Sequence, residues 1–168
     1  PIVSNNTPSA STALSFLGPL GTFTDQALLT QKDLSICDLD PLASIPEVLH
    51  CVSDGRSDLG FVAIENSIEG SVNITQDTLT FETDVLIQRE VVISVQMNLL
   101  VNSDVTLANI EEVVSFPHAT AQCRKWLAKN LPNAVHRAAN STAEAARHLA
   151  ESKALNTATI GSARAAEV

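Results

Sequence analysis

Short apolar runs alternate along this chain with stretches of helical period, and turn residues punctuate them. Ala13 to Leu17 reads as a short strand. Gly18-Pro19-Leu20-Gly21 breaks it, and a helix is expected from about Thr22 to Lys32. Leu34 to Leu39 reads as a second strand. Ser44-Ile45-Pro46-Glu47 is a capping box with Pro early in the first turn. Ile45, Val48, Leu49 and Val52 then recur at i, i+3, i+4 and i+7 along one helix face, and Gly55 closes that helix. Asp58 to Ile64 reads as a buried strand. A loop Glu65-Asn66-Ser67-Ile68-Glu69-Gly70 follows, then a helix over about Ser71 to Phe81.

Asp84 to Val101 differs from the rest. It is long, rich in Val and Ile, and free of Gly and Pro, which predicts two consecutive strands or one bent strand passing between two lobes. Beyond it the pattern predicts a short helix near Leu107 to Glu111, a strand Val113 to Ser115 and a helix from about His118 to Asn130. A strand Val135 to Ala138 comes next. Ser141-Thr142-Ala143-Glu144 is a second capping box, opening a helix to about Lys153, and Thr157 to Ile160 is strand. Gly161-Ser162 is expected to open a last helix. This alternation predicts an α/β fold with two lobes of mostly parallel sheet flanked by helices. The expected division is a loose leader over 1–13, a first lobe over 14–90, a second over 91–162, and the start of a return to the first lobe over 163–168.

Composition adds limits. With 45% hydrophobic and 17% charged residues, the chain can build a core and is not globally disordered. Its formal charge is −9 and unevenly spread. Residues 1–90 hold 13 acidic and 3 basic side chains, residues 91–168 hold 6 and 7. Such a chain lacks the basic face that nucleic acid or an anionic membrane requires. No apolar run approaches the roughly 20 residues of a membrane span, and residues 1–13 lack the basic and apolar regions of a signal peptide. Cys37, Cys51 and Cys123 are scattered and odd in number, which reads as reduced thiols of a cytoplasmic protein.

Candidate chemistry gathers at strand-to-helix junctions. Gly18 to Thr22, Asn66-Ser67, Ser115, Ser141-Thr142 and Gly161-Ser162 all carry small, hydroxyl or amide residues there. Taken singly, each is an ordinary N-cap. Five in one chain point to a polar cleft, because helix N-termini bind anions without any basic side chain. Neither GxGxxG, a P-loop nor a GxSxG elbow is present, and His50, His118, His136 and His148 lack metal-ligand spacing. Only His118 sits at a junction. Cys123 and Trp126, one and two turns into their helix, are expected in the core.

Three segments are more specific. Phe16-Leu17-Gly18-Pro19-Leu20-Gly21-Thr22-Phe23-Thr24 resembles the FLGPxGTF opening of prephenate dehydratases. Ala63-Ile64-Glu65-Asn66-Ser67-Ile68-Glu69-Gly70-Ser71-Val72 is similar to their PIENSxxGxV loop. Ser115-Phe116-Pro117-His118-Ala119-Thr120-Ala121-Gln122-Cys123 resembles their SHPQxxxQC segment. Ser141 to Ala146 and Ala158 to Ser162 match later blocks, all in family order.

The resemblance implies a fold like the type II periplasmic binding proteins, with the site between the lobes. It implies conversion of prephenate to phenylpyruvate with loss of carbon dioxide and water, without cofactor or metal, in a cytoplasmic dimer or tetramer serving phenylalanine biosynthesis. Asn66 and Gln122 match the family's functional amides, and Ser115 a substrate-contact serine. Thr22, Ser67, Ser141 and Thr142 match cleft or cap positions. Glu65 and His118 are expected in support.

Three departures accompany the match. Leu20 stands where the family usually has Glu, and Phe116 and His118 stand where it often has His and Gln. The family's Thr-Arg-Phe motif and its ACT-type regulatory domain are expected after Val168, so these 168 residues read as a fragment of low activity. Arogenate dehydratase and a non-catalytic small-anion binding module remain alternatives.

Overall fold

The structure is a computed structural model that describes residues 7–67 and 70–168. It forms two units, residues 1–19 with 24–93, and residues 20–23 with 94–168. The expected leader is described only from residue 7, where a Ser9–Thr12 turn leads into the first strand.

Unit 1 is organised by β1 (Ala13–Leu17), whose three central residues are all buried. Such a strand needs neighbours on both edges and cover on both faces. β2 (Asp38–Leu42) and β3 (Leu59–Phe61) pair with it in parallel on either side, giving the order β2-β1-β3. Leu14 and Phe16 point to one face, where Leu28 of α1 (Phe23–Leu29), Leu34 and Cys37 complete a core. Full burial of Phe16 stabilises by about 1.5–3 kcal/mol. By alternation, Ser15 points to the other face beside Gly60, its register partner. A Cβ on Gly60 would lie 3.0 Å from Val52 and 3.1 Å from Val48 of α2 (Ile45–Ser53), so small residues here let that helix close on the sheet.

α2 is capped at both ends as its sequence predicts. Ser44 Oγ accepts the Glu47 amide at 3.3 Å. The Glu47 carboxylate bonds Ala43 N at 3.2 Å rather than the cap residue's own amide. At the far end Gly55 takes φ +73°, and the Gly55 and Arg56 amides bond Val52 and Cys51 carbonyls, a Schellman closure.

Several boundaries differ from the sequence reading. The second strand begins at Asp38, after turns over 34–37, and Pro41 is tolerated because β2 is an edge. The third strand holds only three residues. The 65–70 loop contains a two-rung hairpin of β4 (Glu65–Asn66) and β5 (Gly70–Ser71). α3 (Asn73–Asp77) runs into a π-helical turn over Thr78–Glu82. The largest difference lies at 84–101. Only β6 (Asn98–Leu100) pairs, antiparallel, and residues 83–97 have no ladder. Val and Ile favour strand only where a neighbouring strand supplies hydrogen bonds, and none of the described residues does so there. Arg89 instead holds this stretch to Asp33 through two bonds of 2.6 and 3.0 Å.

Unit 2 carries a four-stranded sheet, β6-β9-β7-β8. β7 (Glu112–Ser115) is parallel to β8 (Val135–Ala138) and to β9 (Thr157–Gly161). One face packs Val113, Ala158 and Ile160 against Ala119 and Leu127 of α4 (Pro117–Asn130). The other is covered by α5 (Thr142–Ser152), through Ala143, Ala145, Ala146 and Leu149. Ala119, Cys123 and Leu127 recur at i, i+4 and i+8, which turns Cys123 to the core as expected. Trp126 falls off that stripe and is 45% exposed, contrary to expectation. The predicted last helix is a single 3-10 turn, Arg164–Ala166. Residues 163–168, expected to start back to the first lobe, pack inside unit 2.

Candidate functional site

In unit 1 the candidate residues lie on the β4–β5 hairpin. Its rungs pair Glu65 with Ser71 and Asn66 with Gly70, and Gly70 takes φ +82°, which favours glycine. Asn66 is half-buried, while Glu65 and Ser67 are exposed. Ile68 and Glu69 lie outside the described residues. Support comes from beneath. Fully buried Thr75 donates through Oγ1 to Ala63 O at 2.6 Å, and Val72 N bonds Ile64 O at 2.9 Å. Glu65, expected as a support, makes no side-chain hydrogen bond among the described residues.

In unit 2 the candidate residues collect where β7, β8 and β9 end. Parallel strands all finish at that edge, so each following turn delivers its residues to the same place. Ser115 closes β7. It is fully buried, and its hydroxyl donates to Ile160 O at 2.9 Å, which locks β7 to β9. Its expected role as a substrate contact meets a hydroxyl with no exposed surface. After β8, Ser141 caps α5 by accepting the Glu144 amide at 3.0 Å, with half-buried Thr142 beside it. After β9, fully buried Ser162 donates to Gly21 O at 2.6 Å and accepts the Ala165 amide at 3.0 Å. That pair of bonds fastens the Leu20–Phe23 segment, and with it Thr22, to the strand ends. Gly21 takes φ +86°, and a Cβ there would lie 3.1 Å from both Ala165 Cα and Val168 Cγ2. Only glycine fits this turn.

α4 begins differently. Its cap residue, Phe116, offers no side-chain bond, and Pro117 fills the first position. Phe116 therefore gives the first turn no side-chain cap, unlike Ser141 at the start of α5. His118 is exposed and stacks on the Phe116 ring at 5.3 Å between centroids. Gln122 follows one turn later, half-buried. Burial raises the Cys123 thiol above its ordinary value, so it stays protonated and is a poor nucleophile at neutral pH.

The structure thus brings Thr22, Ser115, Ser141 and Thr142 to one sheet edge, and puts Asn66, Ser67 and Glu65 on one hairpin. Ser162 was visible in the sequence only as a Gly-Ser junction, and Thr75 carried no signal beyond helical spacing. Among the described residues no three His, Cys, Asp or Glu side chains are grouped to hold a metal ion, and no helix is long and apolar enough to cross a membrane.

A sequence model of the prephenate dehydratase family matches residues 14–168. The chain is 38% identical over 145 residues to the prephenate dehydratase of Mycobacterium leprae (strain Br4923), covering 82% of this chain and 45% of that protein. It is 43% identical over 132 residues to the bifunctional chorismate mutase/prephenate dehydratase of Aquifex aeolicus (strain VF5), covering 79% and 36%. The prephenate dehydratase of Arthrobacter aurescens, solved in complex with L-Phe, superposes with a TM-score of 0.83 at 34% identity, over 90% of this chain and 49% of that one. The chain spans half or less of the length of these relatives. Its α/β fold, with helix-flanked parallel sheets, is the periplasmic-binding-protein-like fold they share.

Proposed function

The chain belongs to the prephenate dehydratase family, and on that premise we propose that it serves the decarboxylating dehydration of prephenate to phenylpyruvate, a step of phenylalanine biosynthesis. The observation that carries this reading is the family match from residue 14 to residue 168. In the reaction a proton joins the ring hydroxyl, which leaves as water. The ring carboxylate leaves as carbon dioxide, and the electron pair of the broken carbon–carbon bond completes the aromatic ring. No oxidant or reductant enters this balance.

Two tasks fall to the protein. It must hold two carboxylates, and it must stabilise the departing hydroxyl. Hydroxyls of Thr22, Ser67, Ser141 and Thr142, with the amides opening α4, suit the first task. They do so without net positive charge, because aligned N–H groups favour anions. The amides of Asn66 and Gln122 suit the second, as neutral donors to the leaving oxygen. Ser115 acts from behind through Ile160, and His118 borders the α4 amides. We extend the proposal to a cytoplasmic homo-oligomer.

The test supplies prephenate and arogenate separately to the protein in its full natural length and identifies products by mass spectrometry. Phenylpyruvate from prephenate is expected. Phenylalanine from arogenate alone would make arogenate the substrate. Thermal stabilisation by prephenate with turnover of neither would leave a binding module.

A further inference from the structure

A second ligand site is indicated on the outer flank of the unit 2 sheet, where α4 lies beside β8. β8 is an edge strand and all four of its residues are exposed, so among the described residues no further strand pairs with that flank. The uncovered space is a groove of about 570 Å³. Ala121, Leu131 and Ala134 give it apolar walls, and Thr120, Arg124 and His136 add polar groups. Thr120 and Arg124 recur at i and i+4 along one side of α4, adjacent to the stripe that faces the core, and Leu131, a core residue just past the helix end, lines the groove as well.

The charges single out Arg124. Arg137 also borders the groove, but its guanidinium is paired with Glu112. Arg124 has neither an ion pair nor a hydrogen bond among the described residues. α4 carries Arg124, Lys125 and Lys129 and no acidic residue, in a chain whose formal charge is −9. An unpaired guanidinium fork beside a small apolar trough matches a carboxylate on an apolar body.

We propose that the α4–β8 groove binds a small organic carboxylate, with Arg124 gripping the carboxylate and the Ala121, Leu131 and Ala134 walls taking the apolar part. Ser115 lies behind this groove, with its hydroxyl already given to Ile160. The groove proposal does not depend on turnover of prephenate.

The test titrates the isotopically labelled protein in its full natural length with benzoate while amide resonances are followed by NMR. Shifts are expected at Thr120, Ala121, Arg124 and residues 134–138, saturating in the millimolar range. Arg124→Ala should weaken binding about tenfold or more, and Arg124→Lys by less, because a point charge replaces a two-pronged donor. Benzyl alcohol, which lacks the charge, and inorganic phosphate, which lacks the apolar body, should each bind more weakly than benzoate. Arg124 is exposed, so the variant's spectrum elsewhere reports an intact fold, and Arg124→Gln carries the same test if Arg124→Ala does not fold. Absence of shifts in these segments, equal affinity in the Arg124 variants, or phosphate binding as tightly as benzoate would overturn the proposal.

Discussion

Units 1 and 2 are built on one plan and use their polar groups differently. Each has an interior strand buried on both faces, β1 in the first and β9 in the second. Each of those strands carries a buried hydroxyl without a hydrogen-bond partner among the described residues, Ser15 and Thr159. In unit 2 the candidate residues stand directly at the strand ends, and Ser115, Ser141 and Ser162 are each fixed by a bond of 3.0 Å or less. In unit 1 they stand on a two-rung hairpin beyond the sheet, held from below by Thr75. Parallel strand ends place side chains as a by-product of the sheet. A hairpin must have its placement built separately.

The largest test of this contrast asks whether the two cores are separate. Phe16→Ala should cost about 3–5 kcal/mol and Leu127→Ala about 2–5 kcal/mol. Denaturant unfolding followed by probes in each unit should show each variant lowering mainly its own unit's transition. Equal loss in both transitions would mean that the cores unfold as one.

The anchors come next. Ser162→Ala removes the bonds to the Gly21 carbonyl and the Ala165 amide, and Thr75→Ala removes the bond to the Ala63 carbonyl, each for about 1–3 kcal/mol. Hydrogen exchange should locate the loosening at residues 20–23 in the first variant and on the hairpin in the second. Uniform exchange changes would show that these bonds are not local anchors.

Smaller still is the effect of the unpartnered hydroxyls. Ser15→Ala and Thr159→Val remove hydroxyls that make no hydrogen bond among the described residues, so thermal melts should show no loss or a slight gain. A clear loss would reveal a partner for one of them.

The last stability test concerns acid. The Arg89 guanidinium bonded to Asp33 holds that carboxyl below its ordinary value. A lowered folded-state value contributes stability above the unfolded value, and the contribution fades as pH falls through the folded one. The stability gap between the natural chain and Arg89→Ala should therefore shrink on acidification below the ordinary carboxylate range. A gap independent of pH would contradict the pairing.

Much of this architecture was legible in the sequence where local rules decide. Ala13–Leu17 and Val135–Ala138 were read to the residue, and Ser44 and Ser141 were read as caps, because apolar runs and N-cap chemistry act over a few residues. Residues 84–97 were misread because strand formation needs a neighbour that composition cannot supply. Trp126 was misplaced because one helical position, about 100° of rotation, separates the core stripe from solvent. At the candidate site, the motif segments named Asn66 and Gln122 directly. The Ser162–Gly21 bond joins residues 141 positions apart, and no local pattern announces such a contact.

The most direct measurement of the central claim is kcat for prephenate in the full-length protein carrying Asn66→Ala, Gln122→Ala or Cys123→Ala. Loss of one preorganised donor should lower kcat about 10²-fold or more for each amide variant. Cys123→Ala, which removes a protonated thiol facing the core, should leave kcat near that of the natural protein. Unchanged kcat in both amide variants would contradict the account.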